Sequence, residues 1–85
     1  MKQIKLVFLN NSEILISQIE EVSADLGDPD CKLIEPYLLD KRDSILTPWL
    51  VEFTNQNTFM IHSEKILTIV DPKPTLIEKY QDLIK

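Results

Sequence analysis

The chain has 85 residues, of which 44% are hydrophobic and 27% are charged, a balance typical of one small globular domain and not of a disordered chain. The formal net charge of −5 disfavours non-specific binding to nucleic acid, which depends on neutralising phosphates with Lys and Arg. The single cysteine, Cys31, excludes an internal disulfide. Because so small a domain has a thin margin of stability, we expect it to oligomerise.

The sequence also bears on the compartment of the protein. No apolar run approaches the roughly 20 residues of a transmembrane helix, and the first residues lead into strand-like sequence without a signal-peptide pattern. Cys31 fits a small semi-buried residue in a reducing compartment. These features predict a cytoplasmic protein with no membrane partner.

Two strands are predicted at the start of the chain. Residues 2–9 alternate along the two faces of a strand, and residues 10–12 predict a tight turn because Asn tolerates positive φ. Residues 13–22 form the second strand, whose apolar residues change phase near the Ser17–Gln18 pair. That change predicts a bend or bulge. A helix over residues 13–25 is the alternative, although the β-branched content favours a strand.

A loop and a third strand follow. Residues 27–30 contain the only glycine of the chain, which predicts a sharp turn. Residues 31–39 form the third strand. Pro36 makes this strand an edge or breaks it, because proline cannot donate to a ladder.

The next segment leaves one question open. Residues 40–44 predict a charged, solvated loop. Residues 45–53 and 57–61 are predicted to be extended. The sequence is compatible with either a hairpin turn between them or a bulge in one long strand.

The last elements are a strand and a helix. Residues 62–65 predict a short turn and residues 66–70 the last strand, which Pro72 and Pro74 end. Residues 75–84 predict a helix that begins with a capping box formed by Thr75 and Glu78. Its apolar residues at helical spacing are Leu76, Ile77, Tyr80, Leu83 and Ile84. A helix of about ten residues is marginal alone, so we expect this face to pack.

Together these elements predict one mostly β domain over residues 1–85. Its architecture is a bent five-stranded antiparallel small barrel over residues 2–71 with a C-terminal α-helix over residues 75–84. On pattern alone, SH3-like and OB-like barrels both fit.

Two segments resemble the two sequence motifs of the Sm/LSm/Hfq family. The first opens as Leu9-Asn10-Asn11-Ser12 and closes as Leu15-Ile16-Ser17-Gln18-Ile19, where the family has Leu-x-Asn-Gly and Leu-x-Gly-Gln-Ile. The second reads Ile61-His62-Ser63-Glu64-Lys65-Ile66-Leu67-Thr68-Ile69, where the family has Ile-Arg-Gly-Asn-x-Ile-x-x-Ile. The likeness covers roughly residues 3–70 and looks closest to the small Sm-like proteins of inferred cyanophage origin.

The resemblance implies an Sm-like (SH3-type) barrel that assembles into a homomeric ring. In that family the strand ahead of the second-motif turn pairs with the last strand of the next subunit. The interface residues implied for this chain are Phe59, Ile61, Ile66, Thr68 and Val70. Family rings have five to seven subunits, and the likeness to the phage-type proteins favours a pentamer over a hexamer or heptamer.

The resemblance also implies where RNA would bind. The family holds a base at the ring pore with an Asp/Asn pair after the second strand and with the Arg-Gly of the second motif. Here Ser23 stands at the Asp position, His62 at the Arg position and Ser63 at the Gly position, while Lys65 supplies a charge in the same turn. The RNA-contacting residues implied are therefore these four. Histidine lacks the permanent charge and the fork of arginine.

Two functions follow as expectations. The first is an Sm-like ring-forming protein associated with single-stranded RNA, in the host cytoplasm if it is phage-encoded. The alternative is a ring-shaped protein-interaction scaffold that has lost RNA binding, which the acidic charge favours. In either role Trp49 is a partly buried anchor or an exposed platform for a base or a partner peptide.

An enzyme, a metal site and a cofactor are not expected. The single histidine has no His or Cys at ligand spacing. Asp28 and Asp30 lack the pattern of a calcium loop, and the sequence contains no nucleophile motif or glycine-rich phosphate loop.

Overall fold

The computed structural model describes residues 3–85, so Lys2, which the sequence placed in the first strand, lies outside the described residues. The chain is mostly β, with an antiparallel sheet and a C-terminal helix. The strands within residues 3–85 are β1 (Gln3–Leu9), β2 (Ile14–Glu21), β3 (Cys31–Leu39), β4 (Leu46–Pro48), β5 (Thr58–Ile61) and β6 (Ile66–Val70). A 3₁₀ turn over Ser63–Lys65 precedes β6, and helix α1 spans Pro74–Leu83. The predicted class, mostly β with a C-terminal helix, is confirmed.

The sheet is open. Neighbouring strands follow the order β4-β3-β2-β1-β6, and β5 pairs with the half of β3 that β4 leaves free. Over residues 3–85 no ladder joins β5 to β6. The tight turn between β1 and β2 is confirmed, but the residue with positive φ is Ser12, at 73°, and neither asparagine.

The sheet has six strands within the described residues instead of the five predicted, because the extended segment predicted over residues 45–53 ends early. β4 stops at Pro48, and the chain then turns through hydrogen bonds from Val51 N to Pro48 O and from Phe53 N to Leu50 O. Leu50 has a φ of 60°, which lies outside the range of regular strands. Because β4 and β5 both pair with β3, residues 49–57 interrupt one strand path and do not form a hairpin turn.

A bulge distorts the pairing of β2 with β3. The register shifts between Ile16 and Gln18, as the sequence predicted. At that point two β3 residues, Glu35 and Pro36, stand opposite Ser17 alone. The extra residue therefore belongs to β3, whereas the sequence had placed the irregularity in β2, which keeps a regular register against β1. We call Glu35 and Pro36 the β3 bulge. Glu35 has a left-handed φ of 51°, and Pro36 has no N–H to donate.

Two apolar clusters lie on opposite faces of the sheet, since neighbouring β1 residues such as Leu6 and Val7 belong to different clusters. The buried residues of the first cluster are Val7, Leu9, Leu15 and Leu33. Those of the second are Ile16, Leu46 and Tyr80. Helix α1 contributes Tyr80, and so the helix covers the second face.

Helix α1 begins one residue earlier than predicted, and its N-cap is a different residue. Lys73 is the N-cap and makes no side-chain capping bond, while Pro74 is the first helical residue. The predicted capping box of Thr75 and Glu78 is therefore wrong, because the fixed φ of proline suits the first helical position and Thr75 lies inside the helix. No helix within residues 3–85 has the length and apolarity needed to span a membrane.

Tyr80 connects the helix to the β3 bulge. Its side chain is fully buried, and its hydroxyl lies 2.8 Å from the carbonyl oxygen of Glu35 and 3.2 Å from that of Ile34. The same hydroxyl accepts a hydrogen bond from the backbone N–H of Gln18 at 3.3 Å. The carbonyl of Glu35, a residue that the bulge leaves without a register partner on β2, thereby gains a donor, as buried backbone groups require. Burial raises the pKa of the Tyr80 phenol.

Replacing Tyr80 with phenylalanine tests this connection. We expect Tyr80→Phe to lower the free energy of unfolding by about 1–3 kcal/mol, because it leaves a buried carbonyl without a donor while keeping the ring. Tyr37→Phe is the matched control, since the Tyr37 hydroxyl lies 3.5 Å from its only acceptor, an exposed contact to the carbonyl of Leu83. Urea unfolding measures both variants, and equal stability of Tyr80→Phe and the wild type would contradict the role given to the hydroxyl.

Tyr80 should also make the free energy of unfolding depend on pH. The pKa of Tyr80 is raised above its ordinary value of 10.0 in the folded chain, so the unfolded chain loses this proton first. The stability that the neutral phenol contributes is therefore present below pH 10.0 and is lost as the pH rises, by up to about 1.4 kcal/mol per pH unit. Unfolding free energies between pH 8 and pH 11 should decline less steeply for Tyr80→Phe than for the wild type.

Candidate functional site

The second-motif turn, residues 62–65, links β5 to β6. It is closed by a hydrogen bond from Lys65 N to His62 O at 3.0 Å. The turn between β1 and β2 is held against it, because Asn10 N donates to the carbonyl of Lys65 at 3.0 Å. Two segments that resemble the family motifs are therefore in direct contact.

Asp30 occupies the hydrogen-bond donors of the turn. Its two carboxylate oxygens each accept a bond of 2.8 Å, one from Ser63 N and one from Ser63 Oγ. The pKa of Asp30 is lowered, chiefly by the backbone N–H of Ser63 and then by its hydroxyl, because both bonds favour the ionised form. The two Ser63 donors that a bound anion could use at this turn are thus already satisfied by a carboxylate.

A small acidic hollow lies between the turn and the loop after β2. Its volume is about 190 Å³, and its lining is Leu26, Gly27, Asp28, Asp30, His62, Ser63 and Glu64. Three carboxylates face one histidine, so the local field repels phosphate and attracts cationic groups. Among residues 3–85 no group of three or more His, Cys, Asp or Glu side chains is arranged to hold a metal ion.

The four residues implied for RNA contact divide among three hollows. His62 and Ser63 line the acidic hollow. Ser23 is exposed and lines a separate depression of about 550 Å³ beside Met60. Lys65 lines a third hollow of about 330 Å³, which it shares with His62. The structure therefore unites His62 with both Ser63 and Lys65 but leaves Ser23 apart.

The third hollow is mainly apolar. Leu9 of β1, Ile61 of β5 and Trp49 form its walls, and His62 and Lys65 are at its rim. Since no ladder joins β1 or β6 to β5 over residues 3–85, this hollow marks the gap between the two ends of the open sheet.

The residues implied for a ring interface are of two kinds. Phe59, Ile61 and Ile66 are half-buried in their own chain. Thr68 and Val70 are exposed on β6. The structure thus leaves the outer side of β6 uncovered, while the side chains on β5 mostly belong to their own core.

Sequence reasoning missed the contact between Asp30 and Ser63. The register of β3 against β5 pairs Cys31 with Ile61, and that pairing places the residue before β3 beside the turn after β5. A correct prediction that β3 pairs with β5 would have found the contact between Asp30 and Ser63. Cys31 is itself buried, and its pKa is raised by burial and by the charges of Asp30 and Glu21, which keeps it a thiol at neutral pH.

These features define a small, mostly β protein whose motif turns meet beside an acidic hollow at the end of an open sheet. Over residues 2–85 the chain matches a family of unknown function, DUF6561, and it belongs to that family. No curated protein matches the chain.

The bond between Asp30 and Ser63 can be tested by substitution. In Asp30→Asn a single amide oxygen replaces two charged acceptors, so we expect the Ser63 amide hydrogen to exchange faster with solvent. Asp28→Asn is the matched control, because it removes the same charge from the same loop and the same hollow. Amide exchange measured by NMR reports both.

The pH dependence of this bond has a defined sign. The folded pKa of Asp30 is depressed from 3.8, so the protection of the turn is complete above that value and is lost only as the pH falls through the lower, folded pKa. Carboxyl titration by NMR measures that pKa directly. If Ser63→Ala left the pKa of Asp30 unchanged, the proposed cause of the shift would be wrong in its side-chain part.

Proposed function

We propose that this protein is a subunit of a homomeric ring built on an Sm-like (SH3-type) barrel, and that the ring serves as a protein-interaction scaffold. The observation that carries the proposal is the open sheet, whose two ends, β5 and β6, lack a ladder to each other over residues 3–85. Pairing β6 of one copy with β5 of the next would continue the sheet from subunit to subunit.

The side chains of β6 favour this pairing. Leu67, Ile69 and Val70 are 71%, 44% and 40% exposed. An exposed apolar edge strand is a template for association, and most proteins cover or charge such an edge. Met60, 47% exposed on β5, supplies apolar surface at the other end.

The proposed contact is heterologous, because it joins two different surfaces of identical chains. Such a contact either closes into a ring or grows into a filament. A closed ring leaves no free edge, and the resemblance to the phage-type Sm-like proteins favours five subunits.

The charge distribution supports protein partners. The acidic hollow places Asp28, Asp30 and Glu64 next to the second-motif turn, and Asp30 already uses both donors of Ser63. Phosphate binding needs free donors and positive charge, whereas a protein partner can be recognised by cationic side chains or apolar contacts.

Mixing two single-edge variants tests the ring. Leu67→Lys alters the β6 edge and Met60→Lys the β5 edge, and we expect each variant alone to be monomeric because the introduced charge must be desolvated in the contact. Mixed together they should form a dimer and nothing larger, since each retains one intact edge. Native mass spectrometry reads the wild-type ring, the monomers and the dimer.

Leu83→Lys is the matched control, because it places the same charge at a residue of α1 that is 46% exposed. It should retain the wild-type mass. A monomeric wild type would refute the ring, and a mixture that reassembles fully would show that these two edges are not the contact.

RNA association is the second candidate function. The observation that favours it is the contact of the two motif turns, which places His62 and Lys65 together at the rim of one apolar hollow. Histidine can stack on a base and donate a hydrogen bond to it, and Lys65 can neutralise one phosphate.

Fluorescence anisotropy with short U-rich and A-rich RNA at low salt tests this candidate. If it holds, Lys65→Ala weakens binding and reduces the slope of log affinity against log salt by about one, as expected for the loss of one phosphate contact. Lys41→Ala, a lysine in the exposed 40–44 loop, leaves that slope unchanged. No binding at high micromolar ring concentration excludes RNA and leaves the scaffold.

A further inference from the structure

The β3 bulge opens a further cleft, which shares Trp49 with the third hollow but is lined by none of the four residues implied for RNA contact. It lies where β3 changes its partner from β5 to β4 and has a volume of about 220 Å³. Its walls include Pro36, Tyr37, Pro48, Trp49 and Phe59. We call it the bulge cleft. A volume this small is below the range of pockets for drug-sized ligands, so it suits one or two side chains of a larger partner.

Backbone hydrogen bonds hold the walls of the bulge cleft. Glu35 N donates to Asn57 O at 2.7 Å and Trp49 N donates to Pro36 O at 2.9 Å, so the bulge is tied to both ends of the 49–57 loop. The rings of Trp49 and Phe59 pack edge to face with centroids 5.3 Å apart. A cleft with ordered walls needs little reorganisation to bind.

One donor in these walls lacks an acceptor. The indole Nε1 of Trp49 is buried and has no hydrogen-bond partner among the described residues. A buried polar atom without a partner is uncommon in folded proteins, and an indole N–H can only donate. A backbone carbonyl brought by a ligand, with a small rotation of the ring that borders the cleft, would supply the acceptor.

The chemistry of the lining selects a class of ligand. Aromatic rings and prolines line part of the cleft beside the polar residues Glu35, Gln56 and Asn57, and polyproline II segments dock in aromatic-lined grooves because they are extended before they bind. Leu50, Val51 and Phe53, at 38%, 52% and 83% exposure, follow Trp49 in the chain and give the 49–57 loop exposed apolar side chains.

The charge around the bulge cleft narrows the class of ligand further. Glu35 lines the bulge cleft, no lysine or arginine among residues 3–85 does, and the whole chain carries a net charge of −5. A phosphate-rich ligand is therefore disfavoured, and a basic residue beside the docked prolines would be complementary.

We propose that the bulge cleft binds an extended, proline-containing segment of a partner protein that carries a basic residue next to its prolines. This inference deepens the scaffold role proposed above by naming the chemistry of its partner. The prolines lie on Tyr37, Trp49 and Phe59, a peptide carbonyl accepts from Trp49 Nε1, and the basic side chain faces Glu35.

Trp49 is the only tryptophan in the chain, so its fluorescence reports directly on the bulge cleft. The probe is the synthetic peptide Pro-Pro-Lys-Pro-Pro-Lys, titrated into the full-length protein. We expect a saturable shift of indole emission in the micromolar range, and at least about tenfold weaker binding of the peptide in which alanine replaces every proline. Equal binding of the two peptides, or no saturable shift, overturns the proposal.

Two variants test the separate parts of the site. Trp49→Phe keeps an aromatic ring and removes the donor, so calorimetry should show weaker binding while circular dichroism shows an unchanged fold. Glu35→Gln should reduce the preference for the lysine peptide over a peptide with glutamate in its place. Glu78→Gln, an equal change on an exposed residue of α1, should leave that preference unaltered.

The outcomes distinguish this proposal from the ring. Leu67→Lys should bind the peptide as the wild type does, because the β6 edge contributes nothing to the bulge cleft. A wild-type ring that does not bind the peptide refutes the docking site alone, and a monomeric wild type that binds it refutes the ring alone. A uridine oligonucleotide that shifts Trp49 emission when the peptide does not would show nucleic-acid binding at a hollow lined by Trp49 and overturn the proposal.

Discussion

The hydroxyl of Tyr80 on the β3 bulge is the contact on which the arrangement of the sheet depends. Two carbonyls at the bulge, those of Ile34 and Glu35, lie within 3.2 Å of that hydroxyl, and Ser17 Oγ lies 3.1 Å from the first of them. Without these donors, a bulge in the middle of the sheet would bury carbonyls that have no hydrogen-bond donor. Burying such unpaired polar groups is strongly destabilising. The C-terminal helix thus acts as a donor to the sheet as well as an apolar cover, and this explains why its buried residue is a tyrosine.

The bulge in turn sets the shape of both ends of the molecule. Because Glu35 and Pro36 interrupt the ladder, β3 pairs with β5 before them and with β4 after them. The chain between β4 and β5 must then leave the sheet, and it carries Trp49 over the first apolar cluster. β5 remains short and has one partner, so its outer side stays available. A single local irregularity therefore accounts for an aromatic cleft and for an unpaired strand edge, two surfaces that serve different proposed contacts.

The sequence predicted correctly the features that depend on local residue patterns. It failed for features that depend on how distant strands pair. The alternation of residues 2–9 and the β-branched run over residues 66–70 predict strands regardless of what they pair with. By contrast, the extra residue of a bulge is defined only by register, and so the irregularity was placed on β2 although it belongs to β3. The helix start was misplaced because two side-chain signals competed, and the rigid φ of Pro74 outweighed the hydroxyl of Thr75. Asp30 and Ser63 are 33 residues apart, and only strand pairing unites them.

The contact of Asp30 with Ser63 explains how the chain itself holds the turn over residues 62–65. A 3₁₀ turn between two strands leaves backbone N–H groups free, and these must be satisfied by a ligand or by the chain itself. In this protein the chain supplies a carboxylate, whose ionised form the two bonds stabilise. An anion binding at the turn would have to displace the Asp30 carboxylate, which belongs to the same chain. It would also have to overcome the repulsion of the charges of Asp28 and Glu64. The two donors of Ser63 are therefore satisfied without a ligand.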